Sequence, residues 1–280
     1  MDIKDIVVHV DGSERAAERI RLASKMAAST DAHVTGIFAI ADPYMPALMA
    51  GGYVPADIFD QIREDAAEES AKAEQIFKKE VDAAGVHGEW RVEEGAVSSV
   101  VSRHARYADL SVVGKGDYDD PAHFPHPELP ADLMMTSGRP VLVVPNAGHY
   151  GSVGARILVC WNASREATRA VNDAMPFLQA AEKVTVLAVN PHKPSGGDHG
   201  DTPSADIALH LARHGVNAEA ASTVSAGIEV ADTILARASD LGVDMIVSGA
   251  YGHSRTREWV FGGVTESLLR NTTVPTLLSH

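Results

Sequence analysis

The chain has one cysteine, Cys160, in 280 residues. That excludes an internal disulfide framework and any metal site built from cysteines alone. Basic residues are outnumbered, 24 Lys and Arg against 38 Asp and Glu, for a formal net charge of −14. A chain of that sign repels a phosphate backbone, so nucleic acid is not an expected partner. Apolar runs all fall short of the roughly 18 residues that a membrane-spanning helix needs, so no membrane is expected either. The chain passes from Met1 through Lys4 and Asp5 into an apolar run without a signal-peptide pattern, which points to the cytoplasm. Aromatic residues make up only 5%, yet 45% of the chain is hydrophobic. That supplies a real core for one large domain or two ordinary ones.

The sequence repeats itself. Ile6–Ser13 is matched by Ile157–Ser164, and the apolar positions Ala16, Ile20, Ala23 and Ala27 by Ala167, Val171, Ala174 and Leu178. That spacing is one buried face of a helix. Ser13 and Ser164 stand where N-caps are expected. The later parts also correspond: Tyr107–Gly114 with Gly242–Gly249, and Arg139–Val144 with Val274–Ser279. The chain therefore reads as two copies of one domain, 1–145 and 155–280, joined by the Gly-rich stretch Asn146–Gly154.

Each copy alternates strands with helices. In the second copy the strands are expected near Ile157–Trp161, Val184–Val189, Ala218–Val224, Met245–Ser248 and Thr276–Leu278. Several are short continuous apolar runs, as strands buried on both faces require. The fold class that follows is α/β: two tandem, doubly wound, parallel five-stranded sheets with helices on both faces, a Rossmann-like arrangement. Ligands of such sheets bind beyond the C-terminal strand ends, where the winding reverses.

The loop beyond the fourth strand of the second copy is rich in glycine. Gly249 and Gly252 bracket a turn, and Gly262 and Gly263 precede an apolar helix, Val264–Leu269. Backbone without Cβ lets its N–H groups approach a phosphate closely, and the helix start adds free N–H groups and a positive dipole end. His253, Arg255 and Arg257 add positive or switchable charge. These are parts of a triphosphate cradle, although no P-loop pattern occurs.

Gly249, two residues, Gly252, nine residues, Gly262 resembles the nucleotide-binding signature of the universal stress protein family. Asp11 at the end of the first strand and the closing run Arg139–Pro145 resemble the same family, so the likeness spans nearly the whole chain as two tandem domains. The resemblance implies an adenine nucleotide alpha hydrolase-like fold and a stress-response protein with ATP as ligand and Mg²⁺ as the ion that can accompany it. It places the adenine near Val189, the nucleoside near Asn162 and Ala163, and the phosphates among Gly249, Gly252, His253, Arg255, Gly262, Gly263, Val264 and Thr265. It also implies an intrachain pseudo-dimer through Val141–Val144 and Val274–Leu278, and two such chains could associate as a homodimer. Two positions depart from the family. Gly263 stands where Ser or Thr is usual, and Asn162 where Asp is usual; both changes favour binding over chemistry.

The first copy serves as an internal control, because Gly114 to Pro140 has the same spacing as Gly249 to Pro275. Asp117 replaces Gly252, Pro127 replaces Gly262 and Glu128 replaces Gly263. Carboxylates repel a polyphosphate and proline lacks the N–H it would need. The first copy is therefore not expected to bind ATP in the family's way. Its Met- and Pro-rich segment Pro43–Tyr53 reads as a loop on the sheet edge, with a lid or partner surface as the alternative.

No catalytic residue is assigned. Cys160 reads as a small buried hydrophobe within the first strand of its copy. The metal question stays open at this stage. His123 and His126 near Asp119 and Asp120, or His192 and His199 near Asp198 and Asp201, contain zinc-binding side chains without a rigid ligand spacing. The leading reading is an ATP-binding regulatory or protective module. The alternatives are a slow ATP hydrolase or autokinase using Thr265, Ser254 or Arg255, and a sensor or scaffold binding a non-nucleotide ligand or a protein through the first domain.

Overall fold

The computed structural model describes residues 2–40, 56–117, 119–120, 126–151, 153–191, 203–252 and 263–280. The chain divides into two compact units. One is Ile3–Ser137; the other is Gly138–His280 together with Met1–Asp2.

The first unit runs β1 (Asp5–Val10), α1 (Ala16–Thr30), β2 (His33–Ile40), α2 (Ala56–Ala84), β3 (Gly88–Glu94), α3 (Val97–Ala105), β4 (Leu110–Gly114) and α4 (Leu129–Thr136). Its strands are parallel in the order β3-β2-β1-β4, with Ile6 beside both Val34 and Leu110. The order reverses at β1, so right-handed crossovers place α1 and α2 on one face and α3 on the other. Ala16, Ile20, Ala23 and Ala27 are all buried, and these mostly small side chains form the face expected from the repeat. Helix α2 buries Ala73, Phe77 and Val81 in its later turns, whereas Ile62 in its early turns is 40% exposed. Gly36 explains where those later turns dock: a Cβ there would strike Phe77 and Trp90, so the bare backbone of β2 admits both rings.

The second unit runs β5 (Val141–Val144), β6 (Arg156–Cys160), α5 (Arg165–Asp173), α6 (Met175–Ala180), β7 (Lys183–Val189), α7 (Pro203–Arg213), β8 (Ala218–Thr223), α8 (Val230–Asp240), β9 (Met245–Gly249), α9 (Gly263–Asn271) and β10 (Thr276–Ser279). Its strand order is β5-β10-β9-β6-β7-β8. All neighbours are parallel except β5 and β10, which pair antiparallel with Val143 opposite Thr276 and Val141 opposite Leu278. The α/β class expected from the alternation is observed. Leu158, Leu187, Ile234, Ile246 and Leu268 form a core between sheet and helices.

Three local features show how the copies agree and differ. Asp109 Oδ2 accepts the amides of Lys4 and Asp5 at 2.9 and 3.1 Å, and Asp244 accepts those of Gly154, Ala155 and Arg156 at 2.9–3.1 Å. In each copy a carboxylate thus clasps the start of the central strand. The helix expected from Ala167 to Leu178 is split into α5 and α6, because Pro176 cannot donate a helical N–H. Ser164 caps α5 by accepting the Ala167 amide at 3.1 Å, whereas Ser13 caps nothing. Its hydroxyl donates to Asp11 and α1 begins after Arg15. Among the described residues no helix is long and apolar enough to cross a membrane.

Candidate functional site

A cavity of about 270 Å³ lies in the second unit, beyond the C-terminal ends of β6, β7 and β9. That is the crevice where this sheet's winding reverses. Asn162, Val189, Gly249, Gly252, Gly263, Val264 and Thr265 line it, so these sequence-derived candidates converge on one place. His253, Arg255 and Gly262, with Ser254 and Arg257, lie outside the described residues.

The floor is built by the turn from β6 into α5. Asn162 Oδ1 accepts the Ser164 amide at 3.1 Å, and Ala163 takes a left-handed φ of 55° to let the chain turn. Ala163 itself is not among the lining residues. The carboxamide oxygen of Asn162 thus already holds one hydrogen bond. Its second lone pair and both N–H donors remain for a ligand.

Gly249 and Gly252 are needed for close approach. A Cβ on Gly249 would meet the backbone of α5, with Glu166 C 2.5 Å away. A Cβ on Gly252 would come within 3.0 Å of Glu166 Oε2. Between them Tyr251 has a left-handed φ of 59° and donates its amide to Thr265 Oγ1 at 3.3 Å. This bond ties the end of β9 to the first turn of α9. The Thr265 hydroxyl is therefore already an acceptor, with its own proton left to donate. Gly263 opens α9, and among the described residues nothing lies within 4 Å of its would-be Cβ.

Sequence reasoning missed Glu166. Its side chain is buried against the glycine turn and paired with Arg165, Nη2 to Oε1 at 3.1 Å. The missed signal was its place in the first turn of α5, just past the Ser164 cap, which aims it back towards the strand ends. Trp161 and Cys160 also line the cavity. Cys160 is half-buried by surface rather than fully enclosed as expected. Burial pushes its thiol up to about 12, only partly offset by a hydrogen bond with Ser248, which disfavours the thiolate that a nucleophile needs.

The first unit treats the same positions differently. Asp11, the counterpart of Asn162, lies 2.6 Å from Arg19 Nη2. The pair is close, but its angle leaves Nη2 without an aligned hydrogen bond. Burial opposes ionisation of Asp11, yet the charge of Arg19 and the Ser13 hydrogen bond outweigh it and hold the carboxyl well below its usual range. The backbone of Gly116 packs directly on Pro127, and Asp117 Oδ1 accepts the Asp119 amide at 3.0 Å. Of the zinc candidates, only His126, Asp119 and Asp120 are described, and no group of three or more potential ligands occurs among the described residues.

Residues 155–280 match the model of the universal stress protein family. Over the full length, the chain is similar in fold to a universal stress protein from Archaeoglobus fulgidus. The two are 15% identical with a TM-score of 0.77, covering 99% of this chain and 96% of that one. A putative universal stress protein from Pseudomonas aeruginosa is 14% identical with a TM-score of 0.60, covering 99% and 93%. Among curated proteins no match is found. The sequence match to the universal stress protein family thus covers residues 155–280, and the full-length similarities show that the chain shares the fold of those two proteins.

Proposed function

We propose that the second unit binds an adenine nucleotide, ATP foremost, and that the protein acts as a ligand-dependent regulatory or protective module rather than as a catalyst. The observation that carries this reading is the meeting of Gly249, Gly252, Gly263 and the N-terminus of α9 at one cavity that also holds Asn162 and Val189. Ligand sites commonly occupy ~300–1,000 Å³. A cavity of about 270 Å³ suits the nucleoside, with Trp161 offering an aromatic wall and Asn162 facing the ribose. The phosphates then run out towards Gly252 and α9, where free amides and the helix dipole favour an anion. Mg²⁺ would be held largely by the phosphates and water. Functionally we retain two family domains, 1–145 and 155–280, of which only the second keeps the nucleotide loop.

Thermal unfolding of the intact protein with and without Mg-ATP tests this. A ligand that binds only the folded state, at a hundredfold excess over Kd, adds about 2.7 kcal/mol. ATP, ADP, AMP and adenosine tested in series report what each phosphate contributes. An unchanged midpoint with all four would refute the proposal.

A further inference from the structure

The first unit contains its own cavity, of about 470 Å³, beyond the ends of β1 and β2 and beside the early turns of α2. Its chemistry opposes that of the nucleotide site. Asp11, Asp65 and Glu69 line it, with no Lys or Arg among the described lining residues. Asp11 is neutralised by Arg19. Asp65 accepts only a neutral amide, Gln61 Nε2 at 2.8 Å, and Glu69 leans against the bare backbone of Gly12 with no ion pair among the described residues. Among the described residues two carboxylates thus lack a cationic partner, and Pro127 lacks the amide that an anion would seek at the loop. Phe38, Ala39, Ile40, Ile62 and Ala66 form an apolar part of the wall, while Ser13, His9 and His126 add polar groups to it.

A second observation is independent of the carboxylates. His9 is only 3% exposed and lines this cavity, yet its ring makes no hydrogen bond among the described residues. Asp11 Oδ2 is 3.9 Å from Nδ1, beyond hydrogen-bond reach, and His126 packs edge-on at 5.8 Å. Its ring nitrogens are not among the fully enclosed unpartnered atoms, so the ring reaches the cavity, where a ligand can complete its hydrogen bonding. Burial, reinforced by Arg19 and His126 and only partly offset by Asp11, pushes His9 down to about 3. The imidazole is therefore neutral and retains an acceptor nitrogen.

We propose that this cavity binds a small aliphatic ammonium ligand, its charged head received by Asp65, Glu69 and the unpaired nitrogen of His9, and its carbon chain lying along Phe38, Ile40, Ile62 and Ala66. An ammonium group carries three N–H donors and no acceptor, which matches an acceptor set of this kind. The site is distinct from the nucleotide cavity and does not depend on it.

The test is calorimetric titration of the intact protein with n-hexylammonium chloride, with n-hexanol and sodium hexanoate as neutral and anionic probes of equal chain length. The proposal expects saturable binding of hexylammonium, one per chain, and markedly weaker binding of the other two. Glu69→Gln should weaken hexylammonium by up to about fivefold, as loss of one partly solvated charge partner implies. Ala66→Trp should fill the cavity and abolish binding. Both changes lie on the half-buried or exposed side of α2, and an unchanged thermal midpoint checks that the fold is kept. Equal binding of hexanol or hexanoate, no effect of Glu69→Gln, retained binding in Ala66→Trp, or no saturable binding would each overturn it.

Discussion

Replacing Gly263 by Glu separates ligand binding from stability. The position opens α9, and among the described residues nothing lies within 4 Å of a built Cβ, so none of them obstructs a side chain there. Glutamate is also a better helix former than glycine, and a carboxylate in the first turn stabilises a helix by about 0.3–1 kcal/mol. The first unit already accommodates this choice, with Glu128 at the start of α4. The same carboxylate would stand about 5 Å from the proposed phosphates. Two unit charges at that distance repel by about 1–3 kcal/mol between the dielectric limits of water and a protein surface. That is roughly a five- to hundredfold loss of affinity. Calorimetric titration with ATP should show the loss, while the ligand-free thermal midpoint stays level or rises. Undiminished ATP binding by Gly263→Glu would refute the amide cradle. A lower ligand-free midpoint would refute the packing argument.

Three further outcomes follow from the same geometry. Gly249→Ala drives a methyl into the backbone of α5 and should cost about 1–3 kcal/mol in calorimetric unfolding, with wild-type stability as the contradicting result. The folded His9 stays neutral down to about 3 while its unfolded counterpart takes a proton near 6.5. Between those values the unfolded state binds more protons, so stability falls with acid by about 1.4 kcal/mol per pH unit from this group. His9→Cys, which copies Cys160, should flatten the dependence of the urea midpoint between pH 6 and pH 4 by about that slope; identical slopes would contradict the assignment. Cys160, with its thiol near 12, should resist iodoacetamide at about pH 8 until the protein is unfolded; modification of the folded chain would show that burial does not protect it.

The strands and the repeat were legible because apolar runs report burial directly, and because two copies could be read against each other. The Asp109 and Asp244 clasps occupy matching places in that repeat, although their role emerges only when the strand starts are brought beside them. The glycine loop was legible through its spacing. Glu166 was not, since its direction depends on how α5 leaves the Ser164 cap. Ser13 misled for a related reason: Asp11 captures its hydroxyl, so the same residue type at the same repeat position makes a different bond. The cavity of the first unit was hidden as well. Lost glycines argued against a phosphate site, but they carried no information about the space left beside His9 and Glu69.

The central claim, that amides of the second unit and not of the first receive the nucleotide, is tested most directly by amide NMR of ¹⁵N-labelled protein titrated with ATP. The account predicts saturable shifts at Asn162, Gly249, Gly252, Gly263, Val264 and Thr265, and none at Asp11, Gly114, Asp117 or Glu128. Shifts confined to the first unit, or a spectrum that ATP leaves unchanged, would contradict it.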